Sequence, residues 1–166
     1  MKKINNIIML IGSILFPLII GLLAAILTND AQMQFHFFNK PALSPPGWLF
    51  PIVWTILYIL MGLASYLVLR SEAGNAEKFK AITCYAAQLI MNFIWPLIFF
   101  NVSRYLLAFL WLLVMLALIV MTTIYFFKAD KRAGALLLPL GVWTTFAGYL
   151  NLGIYILSRT PAIMHK

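Results

Sequence analysis

The chain has 166 residues, of which 64% are hydrophobic and only 10% are charged. An ordinary soluble domain is roughly 45–50% apolar and about 25% charged, and a globule of this length leaves much of its chain on its surface. The composition therefore excludes an ordinary soluble fold and indicates a single membrane domain over residues 1–166. The net charge of +8 lies between apolar segments, so we expect it to anchor helix ends and expect no nucleic-acid partner.

Five segments without Asp, Glu, Lys, Arg or His follow one another along the chain. They cover residues 4–28, 49–69, 81–100, 105–127 and 133–157. Each reaches the ~20 residues that a helix needs to cross ~30 Å of hydrocarbon. A membrane barrel would instead show segments of ~10 residues with alternating polarity. The sequence therefore predicts an all-α membrane protein, a bundle of five transmembrane helices.

The first span follows Lys2 and Lys3, as the apolar core of a secretory signal would. Such a core normally has ~7–15 residues, and this span is longer, so we expect a retained helix. Pro17 should bend this helix, because proline deletes one backbone hydrogen bond. Gly21 and Ala25 form a pair of small residues at helical spacing, which is a weak indication of a homodimer.

Residues 29–48 form the one long loop between spans, without a helical period. Disordered segments are poor in aromatic residues, and this loop is rich in them. We therefore expect a semi-rigid lid over one end of the bundle; an aromatic belt at the membrane interface is the alternative. The aromatic residues of the loop are Phe35, Phe37, Phe38 and Trp48, and its other apolar residues include Leu43 and the prolines Pro41, Pro45 and Pro46.

The basic residues are distributed unequally between the two ends of the spans. Eight lie at the N-terminus and in the second and fourth loops: Lys2, Lys3, Arg70, Lys78, Lys80, Lys128, Lys131 and Arg132. Four lie on the other side: Lys40, Arg104, Arg159 and Lys166. The positive-inside rule then predicts a cytoplasmic N-terminus, in an integral multi-pass protein of a bacterial cell membrane.

Groups that usually perform catalysis or bind metals are scarce. The four acidic residues lie in loops, and His36 and His165 have no cysteine or carboxylate at ligand spacing. No phosphate-binding glycine loop or nucleophile elbow occurs. We expect no metal site, no required cofactor and no conventional catalytic constellation.

Aromatic and amide side chains do form stripes along three of the spans. They comprise Gln88, Asn92, Trp95 and Phe99 in the third span, Trp143, Phe146, Ala147, Leu150 and Asn151 in the fifth, and Trp54, Tyr58 and Met61 in the second. An amide in hydrocarbon is costly unless it is bonded, so the three amides should point into the bundle. Either they join helices as interhelical hydrogen bonds, or the stripes line a pocket for a planar, mostly apolar ligand.

These segments resemble the signature of the TspO/MBR family of tryptophan-rich sensory and translocator proteins. The matching residues are Lys40-Pro41, residues 44–58 (SPPGWLFPIVWTILY), Met61-Gly62, Gln88, residues 92–96 (NFIWP), Phe99-Phe100, Leu138-Pro139, Trp143, Phe146-Ala147 and residues 149–151 (YLN). The resemblance implies a five-helix bundle, commonly dimeric, with a pocket under the first loop for porphyrin or haem and for synthetic benzodiazepine-site ligands.

The resemblance also implies roles for individual residues. Trp54, Asn92, Trp95, Phe99, Trp143 and Ala147 would line the pocket, and Trp54 and Trp143 match tryptophans linked in the family to light-dependent porphyrin breakdown. Leu152, Tyr155 and Arg159 fit a loose sterol motif. Many relatives carry a Trp-Tyr pair early in the first loop, where this chain has residues 34–36 (QFH), so the family's contacts between lid and ligand are not carried over to this chain. Three functions follow as alternatives: a tetrapyrrole sensor or regulator, a light-dependent porphyrin-degrading enzyme, and a carrier of porphyrin or sterol.

Overall fold

A computed structural model of the chain describes residues 2–28 and 30–159, and within them it contains helices and no strand. The elements are α1 (Lys2–Leu27), α2 (Ala31–Phe37), α3 (Leu49–Arg70), α4 (Asn75–Pro96) with a π-helical extension (Leu97–Asn101), α5 (Tyr105–Ala129) and α6 (Lys131–Arg159). Five of them, all but α2, are long and apolar enough to cross a membrane, which confirms the predicted five-span bundle. His165 and Lys166 lie outside the described residues.

The observed helices extend beyond the charge-free segments at several ends. The third span begins at Asn75 rather than residue 81, because the polar residues that precede the apolar segment form the first turns of α4. The Gly74 carbonyl accepts the backbone N–H of Glu77 and of Lys78 there. Between α5 and α6 only Asp130 is non-helical, and its carboxylate accepts the N–H of Arg132 at 2.7 Å. Hydrophobic length therefore identifies the membrane-crossing part of each helix and not its polar ends.

The first loop contains a helix that the sequence analysis did not predict. The expectation of a loop without helical structure was wrong for Ala31–Phe37, which form α2. The backbone N–H of Gln34 bonds the Asp30 carbonyl at 2.9 Å and starts this helix. Seven residues make fewer than two turns at 3.6 residues per turn, so no period could be detected from the sequence.

The five long helices close into a ring. Contacts join α1 to α3, α3 to α6, α6 to α5, α5 to α4 and α4 to α1, and the α5–α6 pair is the most extensive. The fourth span, α5, uses one face for this packing. The buried residues of α5 are Ala108, Leu112, Met115, Ile119, Thr122 and Phe126. Helix α1 is the least buried of the five.

Glycines let α1 approach α3 closely. A Cβ on Gly62 of α3 would lie 2.5 Å from the Ile14 Cα and 2.6 Å from the Ser13 carbonyl oxygen of α1. These are backbone atoms, so they cannot move aside without moving the helix. Gly21 of α1 packs in the same way against the ring of Tyr58. The seam between α1 and α3 therefore depends on two residues without side chains.

We predict that Gly62→Ala destabilises the protein by about 1–3 kcal/mol, because the added methyl group forces α1 away from α3. Gly12→Ala is the matched control, since a Cβ there meets nothing within 4 Å. Alanine at position 12 should be neutral or stabilising by up to ~1 kcal/mol through helix propensity. Thermal unfolding in detergent, followed by circular dichroism, measures both variants. Equal stability of the two variants would contradict the close approach.

Candidate ligand cavity

A cavity of about 550 Å³ lies inside the end of the bundle that α2 covers. Helices α1, α2, α3, α4 and α6, the π-helical turn and Gly47 contribute to its wall. No Asp, Glu, Lys, Arg or His is among the lining residues. The polar side chains in the wall are two amides, two hydroxyls of threonine, one of tyrosine, and the indoles of two tryptophans. The site is thus an apolar chamber with few hydrogen-bonding groups.

Two hydrogen-bonded systems hold the polar wall in place. The Tyr58 hydroxyl of α3 donates to the Asn92 Oδ1 of α4 at 3.0 Å. The Trp95 Nε1 of α4 donates to the Asn151 Oδ1 of α6 at 3.3 Å, and the Asn151 Nδ2 donates to the Tyr105 carbonyl of α5 at 2.7 Å. Together these bonds tie four helices to one another around the cavity. The Asn92 Nδ2 is buried without a protein partner, so one donor beside the cavity is unsatisfied.

Most of the predicted site residues meet in this cavity. Those that line it are Trp54, Tyr58, Asn92, Trp95, Phe99, Ala147 and Asn151. The rings of Trp95 and Phe99 stack with centroids 5.5 Å apart, and those of Trp54 and Tyr58 lie 5.7 Å apart. Flat aromatic walls therefore stand on the α3 and α4 sides, and the small Ala147 leaves space on the α6 side.

Trp143 and Phe146 lie elsewhere. They line a separate groove of about 870 Å³ on the α3–α6 surface, together with apolar residues of both helices. The ring of Phe50, which does line the cavity, contacts Trp143 at a centroid distance of 5.7 Å. Trp143 therefore stands one side chain behind the cavity wall. The stripe on the fifth span covers a broad arc of α6, and its two edges face different spaces.

Gln88 is fully buried below the cavity and does not line it. Both polar atoms of its amide lack a protein partner. Burial of Gln88, Asn92 and Asn151 confirms that the three amides point into the bundle. The residues of the expected sterol motif lie in the C-terminal part of α6. There the Arg159 guanidinium stands over the Tyr155 ring at 4.8 Å, and Leu152 is half-buried.

The first span contributes a face that the sequence analysis did not assign to the site. Its cavity-lining residues are Leu18, Gly21, Leu22, Ala24, Ala25 and Thr28. Gly21 and Ala25 were interpreted as a small-residue pair for a dimer, whereas within this chain they face Tyr58 and the cavity. The helical spacing of these two small residues could have indicated this role. Small residues on one face of a helix allow any neighbouring helix to pack closely, whether it belongs to the same chain or to a second subunit.

The first loop covers the cavity with some of its aromatic residues and exposes others. Phe35 is 5% exposed, lines the cavity and contacts Phe50 at a centroid distance of 4.9 Å. Phe38 contacts Phe99 at 5.8 Å, edge to face. Phe37, Leu43 and Trp48 are exposed. Helix α2 thus covers the cavity, and for the exposed residues the aromatic-belt interpretation stays a prediction.

These features define a class: a polytopic helical membrane protein that encloses an apolar cavity beneath a short covering helix. The sequence profile of the TspO/MBR family matches residues 13–157. The chain belongs to the TspO/MBR family, as the motifs in its second, third and fifth spans indicated.

Individual relatives cover much of the chain. A tryptophan-rich protein TspO from Archaeoglobus fulgidus is 34% identical over 154 residues, covering 92% of this chain and 99% of its own length. A tryptophan-rich sensory protein from Cereibacter sphaeroides is 40% identical over 113 residues, covering 68% of this chain and 69% of its own. The translocator protein of Bos taurus is 31% identical over 143 residues, covering 85% of each chain. Similarity therefore extends over the elements that build the cavity.

We predict that Asn151→Leu lowers the free energy of unfolding by about 1–3 kcal/mol, because it leaves the buried Trp95 Nε1 without its acceptor and removes the side-chain bond to the Tyr105 carbonyl. Thr145→Val on the same helix is the control. The Thr145 hydroxyl bonds only the Gly141 carbonyl of its own helix and is exposed, so its loss should change stability by less than about 0.5 kcal/mol. Thermal unfolding in detergent compares the variants, and similar losses in both would contradict a structural role for the amide network.

Proposed function

We propose that the protein binds a tetrapyrrole, a porphyrin or haem, in the cavity beneath α2 and acts as a membrane sensor or regulator. The observation that supports this proposal is the chamber of about 550 Å³ walled by Trp54, Trp95 and Phe99. Ligand pockets in proteins commonly measure ~300–1,000 Å³ and combine apolar walls with a few polar groups. A flat conjugated macrocycle matches such walls, because it can stack against aromatic faces over a large area.

The polar groups of the wall favour a ligand with few hydrogen-bonding atoms. The carbonyl oxygens of both amides already accept hydrogen bonds from the protein, and the Asn92 Nδ2 is a buried donor without a protein partner. A buried donor without a partner costs about 1–3 kcal/mol, so an acceptor on the ligand would gain stability there. The polar edge of a tetrapyrrole can supply one acceptor to Asn92 while the ring stays among the aromatic residues.

Ala147→Phe tests this site, because it fills the space that the small residue leaves between the aromatic walls. We expect affinity for protoporphyrin IX to fall at least ~10-fold, which corresponds to about 1.4 kcal/mol. Ala135→Phe on the same helix is the control, since Ala135 is exposed and lines the outer groove. A dark titration of the purified protein, followed by tryptophan quenching, measures both. Non-saturable quenching, or an equal loss of affinity in the two variants, would contradict binding in the cavity.

Light-dependent degradation of the bound porphyrin is the second candidate, favoured by the two indoles of Trp54 and Trp95 in the cavity wall. Illuminated porphyrin would act as its own photosensitiser and dissolved oxygen as the oxidant, so no acid–base residue is needed. The family resemblance assigns this role to Trp54 and Trp143. Trp143 lies behind Phe50, and therefore can take part only across that ring.

We predict that Trp54→Phe slows porphyrin loss under illumination more than Trp143→Phe does, with binding in the dark largely preserved in both variants. The direct contact available to Trp54 and the intervening Phe50 ring explain the difference. Absorbance at the porphyrin's main band, recorded during illumination, gives the rate. Unchanged rates in both variants would remove tryptophan photochemistry as a function of this chain.

A further inference from the structure

The covering loop closes the cavity on the side that faces water. Its chain is fixed to α6 at two points: the Tyr149 hydroxyl donates to the Ala42 carbonyl at 2.7 Å, and Pro41 packs directly against Gly153. A Cβ on Gly153 would lie 2.5 Å from the Pro41 Cγ. Together with the buried Phe35, these contacts hold the loop down over the end of the bundle.

The edge between α1 and α4 is also tied. The Asn101 Nδ2 at the end of the π-helical turn donates to the Leu27 carbonyl at 2.9 Å. This bond satisfies one of the carbonyls that the C-terminus of a helix leaves free. It also joins the last turn of α1 to the end of the third span, so the cavity is closed at that corner.

The edge between α1 and α3 is different. Of the residues that line the cavity, four are exposed rather than buried or half-buried, and all four belong to α1 or α3. They are Leu22 and Ala25 on α1 and Pro51 and Thr55 on α3. Leu22 is 61% exposed even though it lines the cavity. The two helices are in close contact further down, at Gly21 and Gly62, so the opening lies above these contacts.

The rim of the opening runs from near the ends of α1 and α3 into the membrane-spanning parts of these helices. Leu22 is five residues before the end of α1 and Thr55 is six residues after the start of α3. At 1.5 Å per residue Leu22 and Thr55 lie about 7–9 Å inside the helix ends, and Ala25 and Pro51, each two residues from an end, lie about 3 Å inside. The rim offers little to water, because the Thr55 hydroxyl already donates to the Pro51 carbonyl at 2.7 Å and the other three side chains are apolar.

We propose that the ligand enters this cavity sideways from the bilayer, through a portal formed by Leu22, Ala25, Pro51 and Thr55, and not from water through the covering loop. The inference rests on the proposed function for the identity of the ligand, a planar apolar molecule dissolved in the membrane. The portal itself follows from the exposure of these four residues. A molecule arriving this way never has to leave an apolar environment, and the loop need not open.

A thiol inside the cavity tests the route without any porphyrin. Ala147→Cys, in a Cys84→Ala background, places one reactive group in the wall, and a pyrene maleimide dissolved in the lipid of nanodiscs is the probe. We expect Thr55→Trp, which fills the portal, to slow labelling at least 10-fold. Ile52→Trp is the matched control, since Ile52 is exposed on the same helix and does not line the cavity. Its labelling rate should equal that of the parent.

A disulfide that fixes the loop tests the competing route. The Gly153 Cβ position lies 2.7 Å from the Pro41 Cβ, and a shift of about 1 Å gives the ~3.8 Å separation of a disulfide. Labelling of Ala147→Cys should therefore proceed at the parent rate in the oxidised Pro41→Cys, Gly153→Cys variant. Labelling that the disulfide blocks, or that Thr55→Trp leaves unchanged, would overturn the portal.

Dark stopped-flow mixing with protoporphyrin IX then separates the portal from the proposed function. Thr55→Trp should slow association and dissociation together, because a narrowed entrance raises the barrier in both directions, whereas a loss of contact with the bound ligand at the cavity wall would speed dissociation. An unchanged association rate in a protein that does bind porphyrin would count against the portal. If the wild type binds no porphyrin while thiol labelling follows the pattern above, the portal stands and the proposed ligand is wrong.

Discussion

The interior of a bilayer offers no water to a side-chain amide, so hydrogen bonds within the protein stabilise an amide placed there; Asn151 and Asn92 make such bonds, and Gln88 makes none. This constraint organises the end of the bundle that holds the cavity. Asn151 bonds one indole and one backbone carbonyl, and Asn92 bonds the Tyr58 hydroxyl. The bonds fix α3, α4, α5 and α6 relative to one another and orient the aromatic rings between them. The cavity can therefore stay open without being filled by collapse of its walls.

Helix α1 is held by other means, and this difference gives the cavity its shape. None of its side chains takes part in the amide network. Gly62 brings it against α3 in the lower part of the bundle, Gly21 packs on Tyr58 at the base of the cavity, and Asn101 holds its last turn. Between these attachments α1 stands apart from α3, and the gap is where cavity-lining residues reach the outer surface. The close contact at Gly62 and the single hydrogen bond from Asn101 thus leave an opening between α1 and α3.

Much of this arrangement could be predicted from the sequence, for physical reasons that apply to any membrane bundle. Hydrocarbon thickness sets the length of a span, so the charge-free segments identified five helices. The cost of burying an amide predicted that Gln88, Asn92 and Asn151 point inward. Helix α2 was missed because its burial depends on contacts with distant residues such as Phe50 and Phe99. Local sequence carries no record of those contacts.

The separation of Trp143 from the cavity could not be predicted for a related reason. Helical spacing identifies which residues share a face, but the neighbouring helix decides which space that face meets. Ala147 and Trp143 both belong to α6, but Ala147 lines the cavity and Trp143 lines the outer groove. The ring of Phe50, on α3, lines the cavity and contacts Trp143. The contribution of α1 was hidden because Gly21 and Ala25 provide space rather than chemistry. The role of these small residues can be recognised only from the structure, in which the Tyr58 ring packs against Gly21.

Taken together, an apolar chamber, a fixed cover and a lateral opening suit a ligand that partitions into the lipid bilayer. The central claim is that this chamber, and not the outer α3–α6 groove, receives a planar macrocycle. An experimental structure of the protein with protoporphyrin IX in nanodiscs tests it most directly. The account predicts density for the ring between Trp54 and Trp95, with its edge near the Asn92 amide. Density in the groove beside Trp143 and Phe146, or an empty chamber at saturating porphyrin, would contradict it.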